Sequence, residues 1–209
     1  MSQYLPELLT VILIHFLAVV SPGPDFAVVA KNSLVHNRKV GIYTAFGISI
    51  GICVHVFYSL IGIGLIISQS VVLFSTIKLI GAAYLIYIGI KALRSKANTL
   101  KISSEKTQKT PSAKEAIKIG FLTNALNPKA TIFFLAVFTQ VIDPSTPKSV
   151  QVIYGLVMFI NTFLLFTLIS IGLSQKMIKK QFSKFQHHIE RTMGAILIGL
   201  GIKIAISKD

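Results

Sequence analysis

The sequence predicts an all-α integral membrane protein. It predicts six transmembrane helices as two inverted three-helix repeats, with the first and fourth helices broken. Three observations carry this. The chain is 53% hydrophobic and 13% charged over 209 residues, against roughly 25% charged in soluble domains. Its apolar residues gather into long runs separated by basic loops. Two of those runs are interrupted by polar, proline-centred motifs, Ser21-Pro22-Gly23-Pro24-Asp25 and Asn127-Pro128-Lys129.

The first apolar run, residues 5–20, has 16 residues, and a helical crossing needs about 20. Continued through residues 26–34 it is long enough. Proline lacks the backbone donor a helix needs and glycine loosens what remains, so the helix breaks at Pro22 and Pro24. The break then lies inside the bilayer together with Asp25. A charge and freed backbone groups at that depth are tolerated where they line a cavity or find partners. Residues 1–7 carry no Lys or Arg, and Glu7 is acidic. That departs from a cleaved signal peptide and predicts a retained first helix, with no soluble domain at either end.

The second run, residues 40–67, is rich in small residues: Gly41, Ala45, Gly47, Ser49 and Gly51. Small residues let helices approach closely in lipid. An uncharged turn at residues 68–70 leads to a third run, residues 71–93. Residues 94–118 form a hydrophilic, basic connector with Pro111 near the next helix start. The fourth run, residues 116–142, is interrupted at residues 127–129. Residues 143–147, Asp-Pro-Ser-Thr-Pro, read as a tight turn. The fifth run covers residues 150–173. The sixth, about residues 192–206, is the shortest. The chain reads as one transmembrane domain: a first repeat over about residues 1–96, a cytoplasmic loop over about 97–113, and a second repeat over about 114–209.

Charge sets the expected orientation. The odd-numbered loops and their flanks hold Lys31, Arg38 and Lys39, then eight basic residues in 91–118 and five in 176–191, together 16 of the 21 Lys and Arg. Basic loops stay in the cytoplasm, so both termini are expected outside. The net charge of +14 fits loops facing anionic lipid. No basic patch interleaved with aromatics argues for nucleic acid. Cys53, the single cysteine, excludes an internal disulfide and is expected as an inert core thiol.

An internal repeat organises the chain. Shifted by 112 residues, positions 77–96 lie over 189–208 with nine of 20 identical, Lys91 over Lys203 and Lys96 over Lys208 among them. Pro24 and Pro128 correspond at an offset of 104. Three helices per half is an odd number, so the halves enter the membrane from opposite sides. In transporters built this way the binding site lies near the midplane, where corresponding broken helices meet.

Asp25 and Lys129 are therefore the leading site residues. Each intramembrane charge costs at least roughly 2.5–3.5 kcal/mol. The repeat places them near one another across the pseudo-two-fold axis. As a structural ion pair they would lock the broken helices together. As a binding site Asp25 would take a substrate ammonium, and Lys129 with freed helix N-terminal amides would take a carboxylate. Either residue could hold a coupling proton. Asn124 and Asn127, three apart, could present amides to the ligand, with Asn127 also capping the second half-helix and Ser21 the matching cap before Pro22. Ser21, Pro22, Gly23, Pro24 and Pro128 complete the candidate set.

His15 and His55 are more often hydrogen-bonded packing residues than proton carriers. Asn161, Thr162 and Thr167 line the cavity or bridge helices, and Tyr58, Tyr84 and Tyr87 are equally open. His187 and His188 lack the partners a metal site needs. No Walker-type phosphate loop, Ser-His-Asp set, HExxH or HxxEH motif occurs, so neither enzyme nor cofactor is expected.

These motifs resemble the LysE/RhtB family of amino-acid exporters. Ser21-Pro22-Gly23-Pro24-Asp25 ends the first apolar run. Residues 120–130, ending Leu126-Asn127-Pro128-Lys129-Ala130, lead into Phe133-Phe134 after the long loop. Gly81-Ala82-Ala83-Tyr84-Leu85 with Gly89 and Lys91 is similar to the family pattern as well. The resemblance covers essentially the whole chain. It implies export of an amino acid or close derivative from the bacterial cytoplasm, across the inner membrane, driven by the proton-motive force. It carries a site role onto Asp25 and Lys129 and brings with it the homodimer proposed for the family. The wider superfamily includes metal-cation exporters. Such sites want several inward carboxylates or soft ligands, and Asp25 is the one clear carboxylate at membrane depth.

Overall fold

Proline and polar caps set most of the helix ends in the computed structural model. Residues 2–21, 23–69, 71–94, 109–143 and 145–173 are described, with residues 191–192, 194–199, 201–202 and 205–206 near the C-terminus. All regular structure among the described residues is helical. A single 3-10 turn at Ser2–Tyr4 leads into α1 (Leu5–Val20). Then follow α2 (Pro24–Val35), α3 (Arg38–Gln69), α4 (Val71–Leu93), α5 (Ala113–Ala125), α6 (Pro128–Gln140) and α7 (Lys148–Leu173).

The two expected breaks are present. α1 and α2 meet at a bend of 56°, and α5 and α6 at 57°. Pro24 and Pro128 each open the second half-helix, the position where a missing N–H costs nothing. By length and composition α3 and α7 can each cross a bilayer, and each bent pair can serve as one more, giving two to four candidate crossings among the described residues. The described residues of the sixth expected crossing are helical. Pro22, most of the 94–118 connector, His187 and His188 lie outside the described residues.

The α5 start comes earlier than the apolar pattern indicates. Ser112 and Glu115 form a reciprocal capping box: the Glu115 amide donates to Ser112 Oγ, and the Ser112 amide donates to a Glu115 carboxylate oxygen. The Ser-x-x-Glu signal was in the sequence and outweighs the local polarity, so Lys114 and Lys118 ride on the helix.

Burial runs opposite to that of a soluble bundle. On α7, Leu156, Ile160, Leu164 and Leu168 share one exposed stripe, while Thr162 and Ser170 are buried. His15, Asn32, Thr44, Ser49, His55 and Asn124 are buried too. Polar groups face inward beside the apolar core, and a broad apolar surface faces outward, the arrangement lipid favours. Cys53 corrects its expectation: it is exposed on α3. α3 carries apolar residues on all sides, so its apolar pattern alone does not mark the core side.

Helices meet through their smallest residues. A methyl group on Gly47 would strike the Ile117 carbonyl of α5, and one on Gly120 would strike the Thr44 carbonyl of α3. α3 and α5 therefore touch backbone to backbone. A second contact joins α4 to the C-terminal helical residues. A methyl on Gly89 would lie 2.7 Å from the Gly194 carbonyl and 2.7 Å from Ile198 Cγ1. A methyl on Gly201 would lie 2.8 Å from the Ala82 carbonyl and 2.7 Å from Ile86 Cγ1. Each residue in one contact is offset from its counterpart in the other by the same 112 positions.

Two apolar clusters flank the bundle interior. One joins α1, α3, α6 and α7 around Phe133, Phe134, Tyr154 and Met158. The other joins α2, α3 and α7 around Phe26, Ile48 and Phe166. The candidate site lies between them.

Candidate functional site

Each helix break leaves backbone groups that the helix itself cannot satisfy. At the second break Asn127 solves this locally, its side-chain oxygen accepting the Lys129 amide at 3.0 Å. At the first break the cap expected of Ser21 is absent. Ser21 is instead the C-cap of α1, its amide donating to the Leu17 carbonyl at 3.1 Å, and Gly23 is the N-cap of α2 with no side-chain cap. Gly23 is extended, at φ −172° and ψ −174°, a conformation open to any residue. Its smallness has a different use: a methyl there would come within 3.3 Å of Lys129 Cδ and Nζ.

The two breaks brace each other. Asp25 Oδ2 accepts from Asn124 Nδ2 at 2.9 Å and from Asn127 Nδ2 at 3.1 Å. In the other direction the Lys129 ammonium donates to the Ser21 carbonyl at 2.9 Å and the Ala18 carbonyl at 3.3 Å. Those carbonyls end α1, where the helix dipole favours a cation. Asp25 stands in the first turn of α2, where the dipole favours an anion. Lys129 is also near enough to act on the Asp25 charge through space. Asn127 thus does two jobs with one amide: its oxygen caps α6 and its nitrogen holds Asp25.

One oxygen is left over. Asp25 Oδ1 is buried with no hydrogen-bond partner among the described residues. Burying an ion costs several kcal/mol, and hydrogen bonds to a charged group return about 1.5–3 kcal/mol each. Both amide bonds fall on Oδ2, so Oδ1 gains nothing from them. Asn124 Oδ1 is likewise buried without a partner, pressed against Gly51 of α3.

Around this cross-brace lies a cavity of about 440 Å³, its open mouth included. It is lined by Ser21, Gly23, Asp25, Asn124, Asn127 and Lys129, and by His15 and Thr162. Ile52, Phe133 and Phe134 come from one apolar cluster and Phe26, Ile48 and Phe166 from the other. Ligand cavities combine such a mostly apolar wall with a few placed polar groups. Of the candidate set, Ser21, Gly23, Asp25, Asn124, Asn127 and Lys129 meet at the cavity, with Pro24 and Pro128 opening the half-helices beside it.

The histidines are both hydrogen-bonded. His15 Nδ1 meets Asn161 Nδ2 at 3.1 Å and Nε2 meets Thr162 Oγ1 at 3.4 Å. His55 sits behind the cavity wall, stacked on Phe134 with ring centroids 5.3 Å apart. Its Nε2 lies 2.9 Å from the Asn124 carbonyl and its Nδ1 2.6 Å from Tyr58 Oη. The sequence could not foretell this link, since 69 positions separate His55 from Asn124. Tyr84 and Tyr87 pack against each other at a tilt of 35°, centroids 6.2 Å apart. Neither lines the cavity.

Comparison with known proteins gives the family. The profile of the family described as LysE type translocator matches residues 16–208. An uncharacterized membrane protein of Bacillus subtilis (strain 168), YrhP, is 33% identical over 96% of this chain and 99% of its own length. The threonine efflux protein of Escherichia coli (strain K12) is 28% identical over 96% of this chain and 98% of its own. That of Salmonella typhi is 29% identical over 95% and 97%. No solved structure matches the chain.

Proposed function

This chain belongs to the LysE type translocator family, and we propose that it is a proton-coupled secondary exporter of an amino acid. The carrying observation is the half-satisfied Asp25: one carboxylate oxygen held by two amides, the other without a hydrogen-bond partner among the described residues and beside a cavity. An ammonium group supplies the donors that oxygen lacks. The substrate carboxylate then falls to Lys129, which lines the cavity, and the apolar wall takes the side chain. The threonine efflux relatives make threonine or a similarly small amino acid the first substrate to test. A metal-cation exporter would want further acidic or soft ligands, and Asp25 is the one carboxylate lining the cavity among the described residues.

In this reading the chain crosses the cytoplasmic membrane six times as two inverted repeats, with both termini outside. The reciprocal contacts of Gly89 and Gly201 support it, because a two-fold axis exchanges each contact for the other. The matched bends of α1–α2 and α5–α6 support it as well.

The test loads cells with dipeptides that release a surplus of each amino acid, with and without the protein, and follows inner and outer amino acids by mass spectrometry. Protein-dependent efflux of one or a few amino acids, collapsed by a protonophore, is the expected result. No change across the panel, with the protein shown to be in the membrane, overturns the proposal and makes metal export the next test.

A further inference from the structure

We propose that His55 carries the coupling proton, and that proton and substrate exclude each other because both draw on the Asp25 charge through the shared Asn124 link. The inference rests on the export reading above and adds the proton's location and the sign of its coupling.

Hydrogen-bond logic fixes half of the His55 ring. A carbonyl only accepts, so Nε2 must donate to Asn124 O. Nδ1 is then the variable position. In the neutral ring it is an acceptor, and Tyr58 Oη gives it the phenol hydrogen at 2.6 Å. In the charged ring Nδ1 is a donor, and Tyr58 must turn its hydrogen elsewhere. An outlet exists: the Thr131 carbonyl lies 3.4 Å from Tyr58 Oη. His55 can thus gain and lose a proton at Nδ1 with every partner satisfied in both states. The step is balanced: imidazole takes one proton from hydronium, leaving water, to become imidazolium, and the phenol hydrogen rotates from Nδ1 to Thr131 O.

The position makes that proton felt. Asn124 and Thr131 stand on either side of the α5–α6 break, so His55 and Tyr58 bridge it from α3. Asn124 bonds His55 through its carbonyl and Asp25 through its amide. The groups facing His55 are Tyr58 on its own helix, the Asn124 carbonyl of α5, Phe134 and the Thr131 carbonyl of α6, and the Asp25 charge at the head of α2. Lys129 of α6 and His15 of α1 enter indirectly, through Asp25 and Phe134. An ionised, unneutralised Asp25 favours imidazolium. A substrate ammonium on Asp25 Oδ1 removes that attraction and adds a like charge, so it drives the proton off. Proton and substrate therefore alternate, which is the condition for antiport.

The experiment uses full-length protein in proteoliposomes with labelled L-threonine, measuring exchange at equal pH and net movement under an imposed pH gradient. His55→Gln keeps exchange, loses its pH dependence, and loses gradient stimulation by about tenfold or more. Full gradient stimulation in His55→Gln overturns the proposal, and so does loss of both activities in the folded variant. A second readout needs no transport. The ring nitrogens of His55, assigned by NMR with His55→Gln or His55→Asn, take up their proton less readily in Asp25→Asn and in saturating L-threonine. Indifference to Asp25→Asn overturns the proposal. Wild-type protein that neither exchanges L-threonine nor responds to it, yet shows the Asp25→Asn effect, contradicts threonine as substrate and leaves the proton site standing.

Discussion

The two broken helices bend almost equally, at 56° and 57°, yet they are built differently. The second break looks after itself. Asn127 caps α6, and α5 is pressed backbone to backbone against α3 through Gly47 and Gly120. The first break has no side-chain cap of its own. Every side chain seen bracing it, Asn124, Asn127 and Lys129, comes from the second break. One break is a platform and the other leans on it. The carboxylate oxygen without a hydrogen-bond partner among the described residues, Asp25 Oδ1, belongs to the break that leans. Under the export reading proposed above, the half-helix that leans is the one expected to move as the site is rebuilt for each side of the membrane.

The largest expected effect comes from removing the platform. Gly47→Val puts a branched side chain into the Ile117 backbone. Overpacking costs about 1–3 kcal/mol and more where backbone must move, so this variant should lose its monodisperse peak and cooperative melting in detergent. Next is Lys129→Met, which leaves the Ala18 and Ser21 carbonyls without their cation. An unsatisfied buried acceptor costs about 1–3 kcal/mol. Both transport and melting temperature should fall, with export in the dipeptide assay near background. The sharpest contrast sets Asn127→Ala against Ser21→Ala. Asn127→Ala removes a cap worth about 1 kcal/mol and a donor to Asp25, so the melting temperature drops and exchange weakens. Ser21→Ala removes no cap and should stay within about 0.5 kcal/mol of wild type. Equal losses in the two variants would mean that the breaks are built alike after all.

Much of this was legible in the sequence for simple reasons. Proline has no amide to give, so Pro24 and Pro128 had to open half-helices. Asp25 and Lys129 are expensive in lipid, so they had to stand where the chain could serve them. What they bond to was less legible. The hydrogen bonds run from each charge to neutral groups of the opposite break, and sequence spacing does not encode which amide turns where. Ser21 looked like a cap because its hydroxyl stands before a proline, yet Pro22 and Gly23 both lie between it and the helix, which begins at Pro24. Cys53 looked buried because α3 carries apolar residues on all sides. His55 gave no sign of its role, since its partners lie on helices folded against it from far along the chain.

The most direct test of the central claim is Asp25→Asn, which keeps the shape and both amide neighbours but removes the charge. Reconstituted protein should retain its melting temperature within a few degrees, about 1 kcal/mol, while L-threonine exchange disappears. Exchange at the wild-type rate would show that the Asp25 charge is no part of the binding site, and the account of the cavity would fail with it.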